Sequence, residues 1–155
     1  MKYSYDYPRP TVTVDAIITK IILTEILLIQ RKNEPFKNFW ALPGGFVEMN
    51  ESLEEAVARE VLEETNLQII EFQQFKTFGD VNRDPRGRTI TVVFYSHINE
   101  TLIPKAGDDA ENCKWFEISD LPKLAFDHEK IINEYIMIIK NLMKVLINKN
   151  FSVCP

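Results

Sequence analysis

The stretch Gly45–Leu67, GFVEMNESLEEAVAREVLEETNL, decides how the rest of this chain reads. Pro43, Gly44 and Gly45 form the strongest breaker in the sequence, and Ser52-Leu53-Glu54-Glu55 then fits a capping box, with serine and glutamate each serving the other's backbone N–H. The helix begun there is expected to run to Thr65, with Asn66 in the left-handed position usually given to glycine. At about 100° per residue, Leu53, Ala56, Val57 and Val61 share one inward face. Glu60, Glu63 and Glu64 continue that apolar face in the helix's carboxy-terminal half, where an ordinary amphipathic helix places Leu or Ile. These carboxylates crowd the negative end of the helix dipole and repel one another at i,i+3 and i,i+4. A solvated face is the ordinary explanation of a glutamate run, and it suits Glu54 and Glu55, the latter one turn before Arg59. For Glu60, Glu63 and Glu64 the other explanation is a hard cation, Mg²⁺ or Mn²⁺, which prefers oxygen ligands and joins carboxylates to substrate phosphates.

Outward from this helix the chain alternates between strand and loop signals. Residues 11–23 and 26–31 are β-branched or aliphatic runs expected to pair as strands, and residues 32–42 are irregular. Ile69 to Phe78 and Thr89 to Ile98 read as further strands. Between them lies Gly79-Asp80-Val81-Asn82-Arg83-Asp84-Pro85-Arg86-Gly87-Arg88, a polar loop rich in arginine. A second polar loop, Lys105 to Asn112, precedes a short strand at Cys113 to Ile118, and Asp127 or His128 starts a long carboxy-terminal helix. The pattern is mixed α/β in one domain, residues 1–155, without repeats or linkers. The stripe Ile131, Tyr135, Ile138, Leu142 and Leu146 suits a core or a homodimer surface.

The 155 residues carry 45% hydrophobic and 26% charged side chains, which excludes disorder and low-complexity classes. A net charge of -5 removes any global electrostatic reason to bind nucleic acid or an anionic membrane, so an anionic ligand needs a local basic patch or a metal. Cys113 and Cys154 lack paired ligand spacing and His97 and His128 lie far apart, which argues against zinc and against a disulfide scaffold. No export signal or spanning segment is legible, since Glu134, Lys140 and Lys144 interrupt the late apolar run, and a reducing cytoplasm is the expected setting.

Gly45 to Leu67 resembles the Nudix box, Gly-x5-Glu-x7-Arg-Glu-U-x-Glu-Glu-x-Gly-U, where U is aliphatic. Gly45, Glu51, Arg59, Glu60, Val61, Glu63, Glu64 and Leu67 match it, and Asn66 stands where the family has glycine. The resemblance implies an α/β/α sandwich with a mixed central sheet, a catalytic loop–helix–loop and a long carboxy-terminal helix. It also implies Mg²⁺- or Mn²⁺-dependent hydrolysis of a diphosphate linked to another group. By the same resemblance Glu60, Glu63, Glu64 and the carbonyl of Gly44 supply metal ligands, Arg59 orients the carboxylates and Glu51 braces it. Metal ions invert the local charge and activate water, so no Ser or Cys nucleophile is needed. Glu63, Glu64 or the loop acid Glu111 is the candidate base.

Asn82-Arg83-Asp84-Pro85-Arg86-Gly87-Arg88 resembles a motif of Nudix proteins related to ADP-ribose pyrophosphatases. Its arginines, Arg83 and Arg86, suit bidentate phosphate binding, and Asp84 caps the turn or accepts from a ribose hydroxyl; the same residues also fit a solubilising surface turn. Arg31 reaches a phosphate or is solvated. Trp40, with Phe36 and Phe39, stacks on a base or packs in the core, and His128 reads as a helix start. ADP-ribose or a related sugar nucleotide is the implied substrate. The alternatives are oxidised nucleoside triphosphates and a non-catalytic ADP-ribose sensor. Against the sensor stand the complete set of box carboxylates and the few residues left after the last helix for a DNA-reading module.

Overall fold

Apolar runs near the amino terminus are buried on both sides, and this double burial sets the layers. The computed structural model describes residues 4–20, 23–98, 102–107 and 110–151. Strands β1 (Thr11–Lys20) and β2 (Glu25–Arg31) lie centrally. Val14, Ala16 and Ile18 of β1 and Leu27 and Ile29 of β2 pack with Ala56, Val57 and Val61 of helix α1 (Leu53–Thr65). The alternate residues Ile17, Ile26 and Leu28 pack with Ile131, Ile132 and Tyr135 of helix α2 (His128–Phe151) on the opposite face. A pleat sends successive side chains to opposite faces, so unbroken apolar runs mark strands covered twice. Each fully buried aliphatic side chain contributes about 1.5–3 kcal/mol. The result is the mixed-sheet α/β/α sandwich.

The short strands β3 (Trp40–Ala41) and β4 (Gly44–Phe46) precede α1, and β5 (Gln73–Phe78), β6 (Thr89–Ile98) and β7 (Ala110–Glu117) follow it. Strand β6 runs parallel to β1 along its whole length, from Thr11↔Thr89 to Lys20↔Ile98. Strand β7 runs antiparallel to β2 from Glu25↔Glu117 to Arg31↔Ala110, with a register shift between Gln30 and Arg31. Strands β1 and β2 pair at Thr19↔Ile26, whereas the amino-terminal half of β1 takes β4 as its partner, from Thr13↔Phe46 to Asp15↔Gly44. The two central ribbons therefore part company towards the glycine turn.

Helix α1 starts and stops as its caps dictate. The Glu55 N–H donates to Ser52 Oγ (3.2 Å) and the Ser52 N–H to Glu55 Oε2 (2.8 Å). Asn66 ends the helix with φ 54° and ψ 21°, its N–H donating to the Leu62 carbonyl and its side-chain amide to the Lys105 carbonyl (2.9 Å). Elsewhere the elements differ from the periodicity. The expected strand from Ile69 begins at Gln73, because Leu67 and Ile69 are core anchors that mimic a strand's apolarity. Pro43-Gly44-Gly45, read as a breaker, leads straight into β4, and β7 starts earlier than Cys113 and stops short of Ile118. Ile131 and Tyr135 of the late stripe are core, whereas Leu142 and Leu146 are 54% and 61% exposed. Residues 21 and 22, Asp108, Asp109 and Cys154 lie outside the described residues. Among the described residues no helix is long and apolar enough to cross a membrane.

Asn66→Ala is expected to lower the urea-unfolding free energy by about 1 kcal/mol relative to Asn66→Gly, since both lose the amide but only alanine pays for a Cβ in the left-handed region.

Candidate active site

The cleft lies where β1, β2 and β4 come together above α1, closed on its far side by the β5–β6 loop and the turn before α2. Two glycines let these elements approach. Gly44 has φ +154°, and a Cβ there would stand 2.1 Å from the Val14 carbonyl oxygen; a Cβ on Gly45 would stand 2.4 Å from Glu60 Oε1. The first position touches backbone, the second the end of a side chain.

The acidic helix face divides three ways. Glu64 is 8% exposed, lines the cleft and accepts a hydrogen bond from the Gly44 N–H at Oε2 (2.9 Å). It has no ion-pair partner among the described residues. Burial pushes its carboxyl up to about 8, with the Gly44 N–H opposing and Glu60 and Asp15 adding to the rise. Glu60 is half-buried against Gly45 and also shifted upward by burial, against the pull of Arg59. Glu63 is exposed. Arg59 binds the set together: Nε and Nη2 donate to the two carboxylate oxygens of Glu51 (2.9 and 2.7 Å), and Nη1 donates to Glu60 (2.9 Å) and Glu63 (3.0 Å). Nη2 also donates to the Phe46 carbonyl (3.2 Å), fixing α1 to β4. Arg59, and after it the Glu48 N–H, hold Glu51 down at about 2.

The basic side is equally divided. Arg83 is buried, its Nε and Nη2 donating to both oxygens of Asp127 (2.9 and 2.6 Å), so it pins the loop to the start of α2. Asp84 is buried as well; both its oxygens are engaged by the Arg86 guanidinium (2.7–3.1 Å), and Oδ1 also accepts from the Arg86 backbone N–H (2.9 Å). Arg31 donates Nε to the Pro35 carbonyl (2.9 Å) and has no ion pair among the described residues. Its side chain is held below its usual range by burial and then by the charge of Arg86. Arg31, Arg83, Asp84, Arg86, Gly44 and Glu64 thus meet at one cleft.

Trp40 and Glu111 do not join them. The Trp40 ring packs against Phe116 (4.5 Å between centroids) in the cluster on the α2 face, because Trp40 opens β3 beside β2. Glu111 is exposed on β7: it is the extra residue at the register shift, between Ala110, paired with Arg31, and Asn112, paired with Gln30. Asp15, Phe126 and the cleft role of His128 escaped sequence reasoning. Asp15, 7% exposed, receives the Thr91 hydroxyl (2.5 Å) and lies 3.6 Å from His128 Nε2 and 4.0 Å from Arg83. His128 Nδ1 accepts from the Leu42 N–H (2.9 Å), which leaves the Nε2 proton facing Asp15; burial lowers the ring's basicity. A carboxylate inside the apolar run 11–23 is the signal that could have found Asp15.

Among the described residues no three His, Cys, Asp or Glu side chains encircle an ion. The donor chemistry nevertheless fits a hard divalent cation. The available ligands are carboxylate and carbonyl oxygens, and buried Glu64 has a neighbouring carboxylate in Glu60 but no paired cation.

The fold is a mixed-sheet sandwich in which a buried glutamate of one helix shares a cleft with arginines of the sheet and the β5–β6 loop, an arrangement suited to phosphate groups that come with a hard cation. Residues 9–135 match the NUDIX domain, and the chain belongs to the Nudix family. It is 50% identical over 129 residues to an ADP-ribose pyrophosphatase of Methanocaldococcus jannaschii, covering 83% of this chain and 75% of that protein. It is 37% identical to an ADPR responsive transcriptional repressor of Acinetobacter baylyi, over 83% of this chain but 54% of the repressor. The solved NUDIX domain of Shewanella oneidensis NrtR, complexed with ADP ribose, superposes with a TM-score of 0.80 at 31% identity, covering 87% of this chain and 94% of that one.

Gly45→Ala is expected to change stability by less than about 1 kcal/mol while displacing the Glu60 carboxylate and suppressing phosphoanhydride hydrolysis. Gly44→Ala, which meets backbone, should cost about 3 kcal/mol in the same urea titration.

Proposed function

We propose that this chain hydrolyses the diphosphate linkage of a nucleoside diphosphate derivative, with ADP-ribose or a related sugar nucleotide as substrate and Mg²⁺ or Mn²⁺ as cofactor. The observation that carries this reading is the cleft itself, where the buried, unpaired carboxylate of Glu64 shares one cavity with the guanidiniums of Arg31 and Arg86. An acidic helix alone repels a diphosphate, and arginines alone bind one without activating water. Glu60, Glu63, Glu64 and the Gly44 carbonyl would hold the cation. When bound, it supplies the positive charge that lets phosphate oxygens approach the carboxylates and makes water more acidic.

The remaining roles fall to the chain's own groups. Arg31 and the free edge of Arg86 receive phosphate oxygens, which suit the planar donor fork of arginine. Arg59 holds Glu60 and Glu63 in place through its fourfold set of partners. A glutamate of the helix accepts the proton of the attacking water; Glu64, with its raised carboxyl, suits proton transfer near neutrality. Arg83 and Asp84 act by shaping the loop. The relative named ADP-ribose pyrophosphatase, at half identity, supports the choice of substrate.

A second reading, a sensor that binds ADP-ribose without turnover, is favoured by the likeness to the repressor and to the NrtR domain. Turnover separates the two. Incubated with Mg²⁺ and a panel of ADP-ribose, NADH, diadenosine polyphosphates, sugar nucleotides and 8-oxo-dGTP, the protein is expected to convert ADP-ribose to AMP and ribose 5-phosphate, resolved by chromatography. Binding without products would favour the sensor. Glu64→Gln is expected to lower kcat by at least about a thousandfold with its circular dichroism spectrum unchanged.

The pH dependence has a definite sign. A carboxyl at about 8 in the folded chain, against 4.5 ordinarily, keeps a proton that the unfolded chain releases. Without divalent cation, stability should therefore fall as pH rises from 4.5 to about 8. Added Mg²⁺ competes with that proton, so the gain in Tm that it brings should grow over the same range. Differential scanning calorimetry of the wild type and Glu64→Gln, in which both trends flatten, checks this.

A further inference from the structure

We propose that Phe126 is a positioning residue for the diphosphate, its ring carrying the guanidiniums of Arg31 and Arg86 together so that the pair receives one substrate. This rests on the function proposed above and adds a residue to it.

Phe126 lines the cleft. The guanidinium carbon of Arg31 stands 4.8 Å from the centroid of its ring and that of Arg86 stands 5.2 Å away. Two like charges so placed repel, and a carbon skeleton such as leucine's would do nothing to hold them. The negative face of an aromatic ring attracts each cation, the more so where water is partly excluded. Phe46 supports Arg86 from another side (4.8 Å), but Arg31 has no second ring among the described contacts. The donors committed to the protein are Nε of Arg31, to the Pro35 carbonyl, and Nε and Nη2 of Arg86, both to Asp84. The Nη groups of Arg31 and Nη1 of Arg86 have no acceptor among the described residues. Each arginine is thus anchored along one edge while terminal N–H groups stay available to an anion.

The ring is itself held firmly. Phe126 has φ 51°, a left-handed conformation that a bulky side chain rarely adopts. The turn around it is closed on both flanks, by the Ala125 N–H on the Trp40 carbonyl (2.8 Å) and the His128 N–H on the Ala125 carbonyl (3.2 Å). Phe36 packs edge-on against it at 4.9 Å. A tight turn alone would be served better by glycine. Strain that persists at a cleft, in a residue carrying two cations, marks a position kept for its side chain.

Phe126→Leu and Phe126→Tyr test this in ADP-ribose hydrolysis with Mg²⁺. The leucine variant is expected to raise KM about tenfold with kcat within about threefold, and the tyrosine variant, which keeps the ring face, to stay within about twofold on both. An unchanged KM in the leucine variant, a loss confined to kcat, or equal losses in both variants would overturn the proposal. A wild type that does not turn over ADP-ribose overturns the proposed function instead. The positioning role is then read by calorimetric titration of ADP-ribose into the wild type with and without Phe126→Leu. A tenfold weaker Kd supports the role; an equal Kd, or no binding by the wild type, refutes it. Should Phe126→Leu fail to fold, Arg31→Gln and Arg86→Gln are combined. The double variant is expected to lose about as much as the worse single one, and fully additive losses count against a paired site.

Discussion

Burying the carboxylate of Glu64 is the constraint on which this structure turns. A group 8% exposed without a cationic partner costs free energy that core packing does not return, and it persists only because its surroundings are built for it. One oxygen is occupied by the Gly44 N–H, and that contact requires β4 to lie against β1 with no side chain at Gly44. Glu60 can press against β4 only because Gly45 is bare. Arg59 removes the repulsion that Glu60 and Glu63 would otherwise add, by taking both onto one guanidinium already clamped by Glu51. The helix, the glycine turn and the arginine are thus one device.

The sheet places that device. Strands β1 with β6 and β2 with β7 are two long, well-registered ribbons that pair at Thr19↔Ile26 and separate beyond it. Strand β4 fills the space beside β1 and brings Gly44 and Gly45 to the rim. The register shift between Gln30 and Arg31 comes where β2 reaches the cleft. The extra residue is Glu111 on β7, so the bulge lies opposite the end of β2 from which Arg31 enters the cleft.

Much of this was legible before any coordinates. Spacing along one helix separated Glu60, Glu63 and Glu64 from the ordinary surface pair Glu54 and Glu55. Burial bears this out for Glu64 and in part for Glu60, whereas Glu63, expected on the same face, lies at its edge and is exposed. The capping box and Asn66 fixed both ends because caps are local. What escaped is what depends on partners distant in sequence. Asp15 reads as an interruption of a strand until Thr91, Arg83 and His128 are brought to it from three other elements. Trp40 has suitable chemistry but sits on the α2 face of the sheet, and Glu111 is the extra residue of a bulge in β7; neither is decided by periodicity over two or eight residues. Phe126 carries no signal in the sequence, since neither its left-handed turn nor the arginines brought to it from other elements are visible from its neighbours.

The charges in the cleft finally explain why a cation and a diphosphate belong together there. Arg83 is neutralised by Asp127 and Arg86 largely by Asp84, so these four residues leave little net field. What remains is Arg31 on one side and Glu64 on the other, opposite in sign and each without an ion pair among the described residues, with Asp15 beside them held by Thr91, His128 and Arg83. A lone anion would satisfy the arginine and aggravate the acids; a lone cation would do the reverse. On the proposed function, an anionic phosphate group arriving with a divalent cation would satisfy both ends at once and would place the anhydride beside the glutamates of α1.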